Sequence, residues 1–307
     1  MRLIFFGSGL FGEPTLRALH GAPEHEVALV ISQPARPAGR KRTLTPTPIA
    51  QCAEELGLPV DTPEDPHEPE VIERVQQINP DAFVVIAYGH KLKPELLDEY
   101  LAINLHASLL PKYRGAAPIN WAMIHGDRET GLSVITLAQR MDAGEILARV
   151  ATEIGTQETA GELHDRLAAM GPDLVLKVLR DEETGRIAPV EQDESRASSA
   201  RKLTKADGTA RFDQPADMVR ARVHGLTPWP GCAVKFGEHT VKLMRVRVKE
   251  RNEVEETPGT LRLDGTIACR PGTIEILEIQ PPGGRIMSME SFRHGHRCEP
   301  GMVLEPV

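Results

Sequence analysis

Two hydrophobic patterns alternate along the first 180 residues. "RLIFF" (2–6), "EVALVIS" (26–32), "DAFVVIAY" (81–88) and "YLAINLH" (100–106) are short, nearly continuous apolar runs, the pattern of strands buried on both faces. Between them, "GEPTLRALHG" (12–21), "PIAQCAEELG" (48–57) and "EPEVIERVQQI" (68–78) space their apolar positions as helices do. Strand followed by helix, repeated, predicts a Rossmann-like, doubly wound α/β fold on a mainly parallel sheet. Further on, "TGLSVITLA" (130–138) and "ILARVATEI" (146–154) read as strands, and 160–181 as a long amphipathic helix that Gly171-Pro172 is expected to kink.

From 182 the pattern changes. "EETGRIAPVEQDESRASSARKL" is polar, charged and poor in large apolar residues, which predicts a linker over 182–203 between a domain at 1–181 and another at 204–307. Beyond a helix at 215–226, short alternating runs separated by Gly and Pro predict a small C-terminal antiparallel β-barrel, OB-like in size and rhythm.

Composition adds little to this picture, and charge adds more. The chain of 307 residues, 40% hydrophobic and 26% charged, is ordinary for a globular protein of two domains. "AFVVIAYG" is far short of the roughly 18 apolar residues of a membrane span, and the apolar run after Arg2 is too short for a secretion signal, so a cytoplasmic protein is expected. Cys52, Cys232, Cys269 and Cys298 are scattered without C-x-x-C pairs, which predicts neither a disulfide framework nor a metal site. The net charge of −8 is unevenly spread: 201–307 holds 17 Lys and Arg against 14 Asp and Glu, and the rest holds 19 against 30. A basic tail on an acidic body hints at a polyanionic partner.

Gly7, Gly9 and Gly12 fit the G-x-G-x-x-G of a dinucleotide-binding turn, which raises an NADP-dependent oxidoreductase with Arg36 or Arg40 on the 2′-phosphate as one reading. The end of the second strand reads "ISQPA", without the acid that NAD sites place there, so a scaffold turn packing the first helix on the sheet fits better and no NAD(P) is expected.

The chemistry concentrates in "INLHASLLPKYRGAAPINWAMIHGD" (103–127). Asn104 and His106, two apart at the end of a strand, emerge on one face. An amide donor beside an imidazole suits polarisation of a carbonyl and stabilisation of an oxyanion. Asp142, in the "RMDAGE" turn between the next two strands, is the carboxylate that can join them.

This segment, with "GLSVITLAQRMDAGEIL" after it, carries N-x-H-x-S-L-L-P-x-x-R-G and a downstream M-D-x-G, and it strongly resembles the folate-dependent formyltransferases. "FFGSGLFG", "QPARPAGRKR", "GTARFD" and "LTPWPG" extend the resemblance over nearly the whole chain, toward the members that formylate methionyl-initiator tRNA. The resemblance implies 10-formyltetrahydrofolate as donor, no metal, and Asn104, His106 and Asp142 as the catalytic set. It further implies a folate-binding loop at Ser108, Leu109, Leu110 and Pro111, with backbone groups of Ala87, Tyr88 and Gly89 toward the pterin. Asn104 and a charged His106 would hold the oxyanion, and Asp142 would keep that charge and relay a proton.

Acceptors other than methionyl-tRNA remain: glycinamide ribotide, whose transferases are usually a single α/β domain, and amino-sugar nucleotides. A tRNA-binding module with an inactive transferase site is a further alternative. Two features favour tRNA. Arg36, Arg40, Lys41 and Arg42 crowd the Pro/Gly-rich loop at 33–48, and "TVKLMRVRVK" (240–249) offers Lys242, Arg245, Arg247 and Lys249 for phosphate contact, though not all on one face. Trp229 in "TPWPG" is expected to be a packing anchor between domains, and the protein to act as a monomer.

Overall fold

The computed structural model describes residues 1–39, 42–97 and 100–307, and they form two compact units. The first unit comprises Met1–Arg114, Gly131–Ala151 and His164–Ser199; the second comprises Gly115–Thr130, Thr152–Leu163 and Ala200–Val307.

In chain order, the first half runs β1 (Arg2–Gly7), α1 (Glu13–Gly21), β2 (Glu26–Ile31), β3 (Arg36–Ala38), β4 (Thr43–Thr45), α2 (Pro48–Glu55), β5 (Val60–Asp61), α3 (Pro69–Ile78), β6 (Ala82–Ile86), α4 (Pro94–Leu97) and β7 (Leu101–His106). It continues through α5 (Pro118–Ile124), β8 (Glu129–Thr136), β9 (Ile146–Glu153) and α6 (Ala160–Glu183). Among the described residues the main sheet has the order β5-β2-β1-β6-β7-β8-β9. The pairs β5–β2, β2–β1, β1–β6 and β6–β7 are parallel and β7–β8 is antiparallel. This is the mainly parallel, doubly wound sheet that the alternation of patterns predicts.

The apolar runs are where the core lies: Leu3, Ile4, Phe5 and Phe6 of β1 are fully buried, as are Leu29, Val30 and Ile31 of β2 and Phe83 and Ile86 of β6. Helix ends follow their sequence signals. Thr47 accepts from the Ala50 N–H at 3.1 Å with Pro48 opening α2, and Asn79 closes α3 in the left-handed conformation at φ 47°. The helix α6 runs as one element through Gly171-Pro172, with Pro172 inside it. Gly171 serves close packing: a Cβ there would lie 2.7 Å from Leu105 Cδ2 and 3.1 Å from Thr15 Oγ1.

The second unit carries an antiparallel half-barrel of β10 (Cys232–Phe236), β11 (His239–Glu250), β12 (Ile267–Ala268), β13 (Thr273–Gln280), β14 (Met287–Ser288) and β15 (Leu304–Pro306), with α7 (Ala216–Gly225) before it and α8 (Met289–Gly295) within it. Val234, Val241, Leu243, Val246, Ile274, Ile276 and Ile279 supply alternate inward positions and pack with Val219 and Val223 of α7. Trp229 is 50% exposed, whereas Thr227, Pro230 and Gly231 of the same turn are buried.

His224 of α7 is buried, and its Nε2 accepts the Val246 backbone N–H at 3.1 Å. Burial, reinforced by the Arg220 and Arg245 guanidiniums and opposed only in part by Glu162, brings its pKa down to about 4. The unfolded chain binds this proton below about pH 6.5 and the folded chain only near 4, so the stability this histidine confers is complete above pH 6.5 and is lost as pH falls toward 4. The loss across that window is about 3 kcal/mol for the wild type and absent in His224→Gln. Urea unfolding of both proteins between pH 7 and 4.5 measures it; identical pH slopes would contradict the assignment.

Candidate active site

Asn104 and His106 lie at the end of β7, on one face as strand parity requires. Asn104 is partly exposed, and its amide makes no hydrogen bond to any described residue. His106 is 6% exposed, and its Nε2 stands 2.9 Å from the Tyr113 carbonyl oxygen. A carbonyl only accepts, so Nε2 carries the proton and donates it there. Nδ1, the other ring nitrogen, then faces the Asp142 carboxylate, with Oδ2 at 3.6 Å. That separation is longer than a hydrogen bond, which leaves Nδ1 able to share a proton between the carboxylate and a substrate oxygen.

Both supports of this ring are backbone turns in the left-handed region, Tyr113 at φ 64° and Asp142 at φ 53°. Asp tolerates that region better than most residues, Tyr less so, and each is held there by neighbours. The Tyr113 N–H donates to Ser198 Oγ at 2.9 Å. The Asp142 carbonyl accepts from Gln192 Nε2 at 2.8 Å. The turn between β8 and β9 is closed further by Thr136, whose N–H donates to the Glu145 carbonyl and whose Oγ1 accepts from the Glu145 N–H at 2.9 Å.

The segment Ser108–Pro111 is a loop tied to its surroundings by hydrogen bonds. Ser108 Oγ donates to the Lys112 carbonyl at 2.6 Å, Ser133 Oγ bridges the Ser108 carbonyl and the Leu110 N–H, and Arg149 Nη1 donates to the Leu110 carbonyl at 3.0 Å. Leu110 is fully buried against Ile135 and Ile146. Such a loop offers a bound ring shape and apolar contact. At the end of β6, the Ala87 carbonyl accepts from the Ser8 and Gly9 N–H groups, and the Tyr88 carbonyl accepts from Ser8 Oγ and Gln33 Nε2. The N–H groups of Ala87, Tyr88 and Gly89 donate to no described residue, so the backbone at 87–89 presents donors, with both carbonyls already occupied.

The same contacts explain the glycine turn. Two amides that a pyrophosphate would need are bound to Ala87, and a Cβ at Gly12 would lie 3.2–3.4 Å from Phe5, Ile86 and Ile49. The turn is a packing device, and the dinucleotide reading fails on it.

The basic residues fall in different settings. Arg36 sits on the paired strands β3 and β4, where the sequence predicts a loop, and it pairs with Glu64 at 2.6 Å, both side chains exposed. Arg42 is exposed beside the hairpin turn, and Arg40 and Lys41 lie outside the described residues. On the half-barrel, Lys242 Nζ donates to the Pro230 carbonyl at 2.7 Å, and Arg247 bonds Glu275 at 2.6 Å, with Lys249 at 3.8 Å from the same carboxylate. Arg245 turns to Glu162 at 2.7 Å and to Glu278, and it holds the Glu162 carboxyl down to about 2. The residues that sequence reasoning missed are Tyr113, Ser133, Arg149, Gln192, Glu194 and Ser198. Tyr113 was inside the quoted signature, but only the fold shows that its carbonyl is the working group.

An amide and an imidazole beside a carboxylate, at the strand ends of an open α/β sheet, are a combination suited to group transfer at a carbonyl carbon. Sequence profiles agree: that described as "Formyl transferase" matches residues 1–179 and "Formyl transferase, C-terminal domain" matches residues 202–297. A methionyl-tRNA formyltransferase from Heliobacterium modesticaldum is 38% identical over 98% of this chain and 99% of its own, and one from Citrifermentans bemidjiense is 37% identical over 99% and 96%. The fold is that of the N-formyltransferase of Helicobacter canadensis solved with folinic acid and dTDP-3-aminofucose, at a TM-score of 0.66, 15% identity and coverage of 91% of this chain and 98% of that one. The chain belongs to the folate-dependent formyl transferases, among the methionyl-tRNA formyltransferases.

If the donor pair and carboxylate act as described, His106→Ala and Asp142→Asn lower kcat for formyl transfer by about 10²–10⁴-fold while circular dichroism stays that of the wild type. Single-turnover rates check this; wild-type rates in both variants would refute the site.

Proposed function

We propose that the protein passes the formyl group of 10-formyltetrahydrofolate to the α-amine of methionine esterified to initiator tRNA, acting in the cytoplasm as a monomer. The observation that carries the mechanism is the His106 ring, held at Nε2 by the Tyr113 carbonyl and facing Asp142 through Nδ1. As the amine nitrogen bonds to the formyl carbon, negative charge gathers on the formyl oxygen, where the Asn104 amide and the Nδ1–H of His106 stabilise it. Asp142 balances the imidazolium and takes the proton that the attacking amine releases. Collapse of the tetrahedral centre breaks the bond to N10, which leaves with that proton, so atoms and charge balance without a metal or a covalent bond to the enzyme. The N–H groups of 87–89 and the shaped loop 108–111 are suited to hold the pterin and set the carbonyl over Asn104.

For the acceptor, the reading assigns Arg36, Arg40, Lys41 and Arg42 to the tRNA, with Lys242 and Arg247 of the half-barrel as phosphate contacts. Arg36 and Arg42 are exposed, as that requires. Arg247 must exchange Glu275 for phosphate, which makes its share small. The working division is a catalytic domain at 1–181, a connecting stretch at 182–203 and a tRNA-binding domain at 204–307.

Side-by-side assays with methionyl-tRNA, glycinamide ribotide and an amino-sugar nucleotide test the reading. Formyl transfer to methionyl-tRNA should exceed the others by at least about 10²-fold in kcat/KM, and a preference for either small acceptor would overturn it. Replacing Arg36 and Arg42 by Ala should raise KM for tRNA and leave the folate Kd unchanged.

A further inference from the structure

We propose that residues 190–198 are a strap that sets the catalytic pair, with Gln192 as the positioning residue for Asp142 and Ser198 as that for Tyr113. This rests on the formyl-transfer reading above and adds residues to it that lie outside the signature.

The strap docks on an edge. β9 ends the main sheet, and Val190 pairs with Ile146 at its start through reciprocal backbone bonds of 2.8 and 2.9 Å. Two residues on, the Gln192 amide reaches the turn that carries Asp142. Its Nε2 donates to the Asp142 carbonyl at 2.8 Å and to the Gly144 carbonyl at 2.7 Å. Its Oε1 accepts from Arg114 Nε at 3.0 Å and Nη2 at 2.7 Å. Both amide hydrogens and both lone pairs are therefore used, and a flipped amide would set oxygen against two carbonyls and hydrogens against a guanidinium. The orientation is unique, so the bonds capture the turn at the carbonyl of Asp142 itself and again two residues further on, at Gly144.

Arg114 links this clamp to the other catalytic support. It is 9% exposed and bonds Glu194 in bidentate fashion, Nη2 to Oε1 at 2.8 Å and Nη1 to Oε2 at 3.1 Å. With Arg140 also on Glu194, the two guanidiniums hold that carboxyl at about 2. Arg114 follows Tyr113, whose carbonyl orients His106. Its N–H donates to the Ser198 carbonyl at 2.8 Å, Tyr113 N–H donates to Ser198 Oγ, and Ser198 N–H donates to the Pro111 carbonyl at 3.3 Å. One short polar segment thus grips both backbones that fix the His106–Asp142 geometry. A network of this kind, far from the reacting atoms in sequence, acts through placement: an ångström of misplacement at the carboxylate costs up to about 10²-fold in rate.

The test is steady-state kinetics with methionyl-tRNA and 10-formyltetrahydrofolate on Gln192→Met and Gln192→Glu. The first keeps the volume and removes the bonds; the second keeps the Arg114 contact and puts oxygen against the Asp142 and Gly144 carbonyls. Both should lose about 10–100-fold in kcat, with both KM values within about threefold of wild type and the folate Kd unchanged. Wild-type kcat in both variants overturns the proposal. So does a loss that appears as lowered Tm and raised KM together, the mark of a structural strut, or a failure of Gln192→Met to fold while Gln192→Glu keeps wild-type kcat. If wild-type enzyme itself fails to formylate methionyl-tRNA, the acceptor reading falls instead, and the two failures are separable.

Discussion

One hydrogen bond organises the candidate active site: the buried Nε2–H of His106 donating to the Tyr113 carbonyl. Because the acceptor cannot donate, the tautomer is set by the backbone, and the chemically variable nitrogen is turned toward Asp142. The parity of β7 puts Asn104 on the same face, so an uncommitted amide and a fixed imidazole converge. The loop that carries Tyr113 must then be immobile, and the turn that carries Asp142 must return to the ring. The Ser133 bridge and the buried Leu110 meet the first demand; the Gln192 bonds meet the second.

The sheet supplies these positions economically. Parallel strands through β7 give crowded, fully apolar cores, and the antiparallel β8 sets His106 opposite Ser133, the residue that ties the loop. The glycine turn after β1 and the bend at 87–89 share bonds through the Ala87 carbonyl, so the scaffold and the region assigned to the pterin are one hydrogen-bonded structure. In the half-barrel, by contrast, much of the basic charge is balanced locally. Arg245 and Arg247 of β11 stand opposite Glu278 and Glu275 of β13, and the strand pairs them as ions.

The strands and main helices were legible from periodicity because burial on two faces leaves continuous apolar runs, and the approach of Asp142 to His106 was legible from strand order and the turn that carries it. What stayed hidden depended on partners distant in sequence. The hairpin β3–β4 and the short α4 and α5 have too few residues for a periodic signal. The polar stretch around Gln192 reads as solvated linker, since composition cannot show that an amide's four valences end on Asp142, Gly144 and Arg114. Likewise the charge of "KLMRVRVK" was visible, but the glutamates facing it across the sheet were not.

The direct test of this account is the protonation pattern of the His106 ring, read by nitrogen-15 chemical shifts and one-bond N–H couplings in selectively labelled protein. A proton on Nε2 in every folded form, with any second proton at Nδ1 toward Asp142, is the predicted result. A neutral ring protonated at Nδ1 alone would contradict it, because the Tyr113 carbonyl could then no longer be the partner that fixes the site.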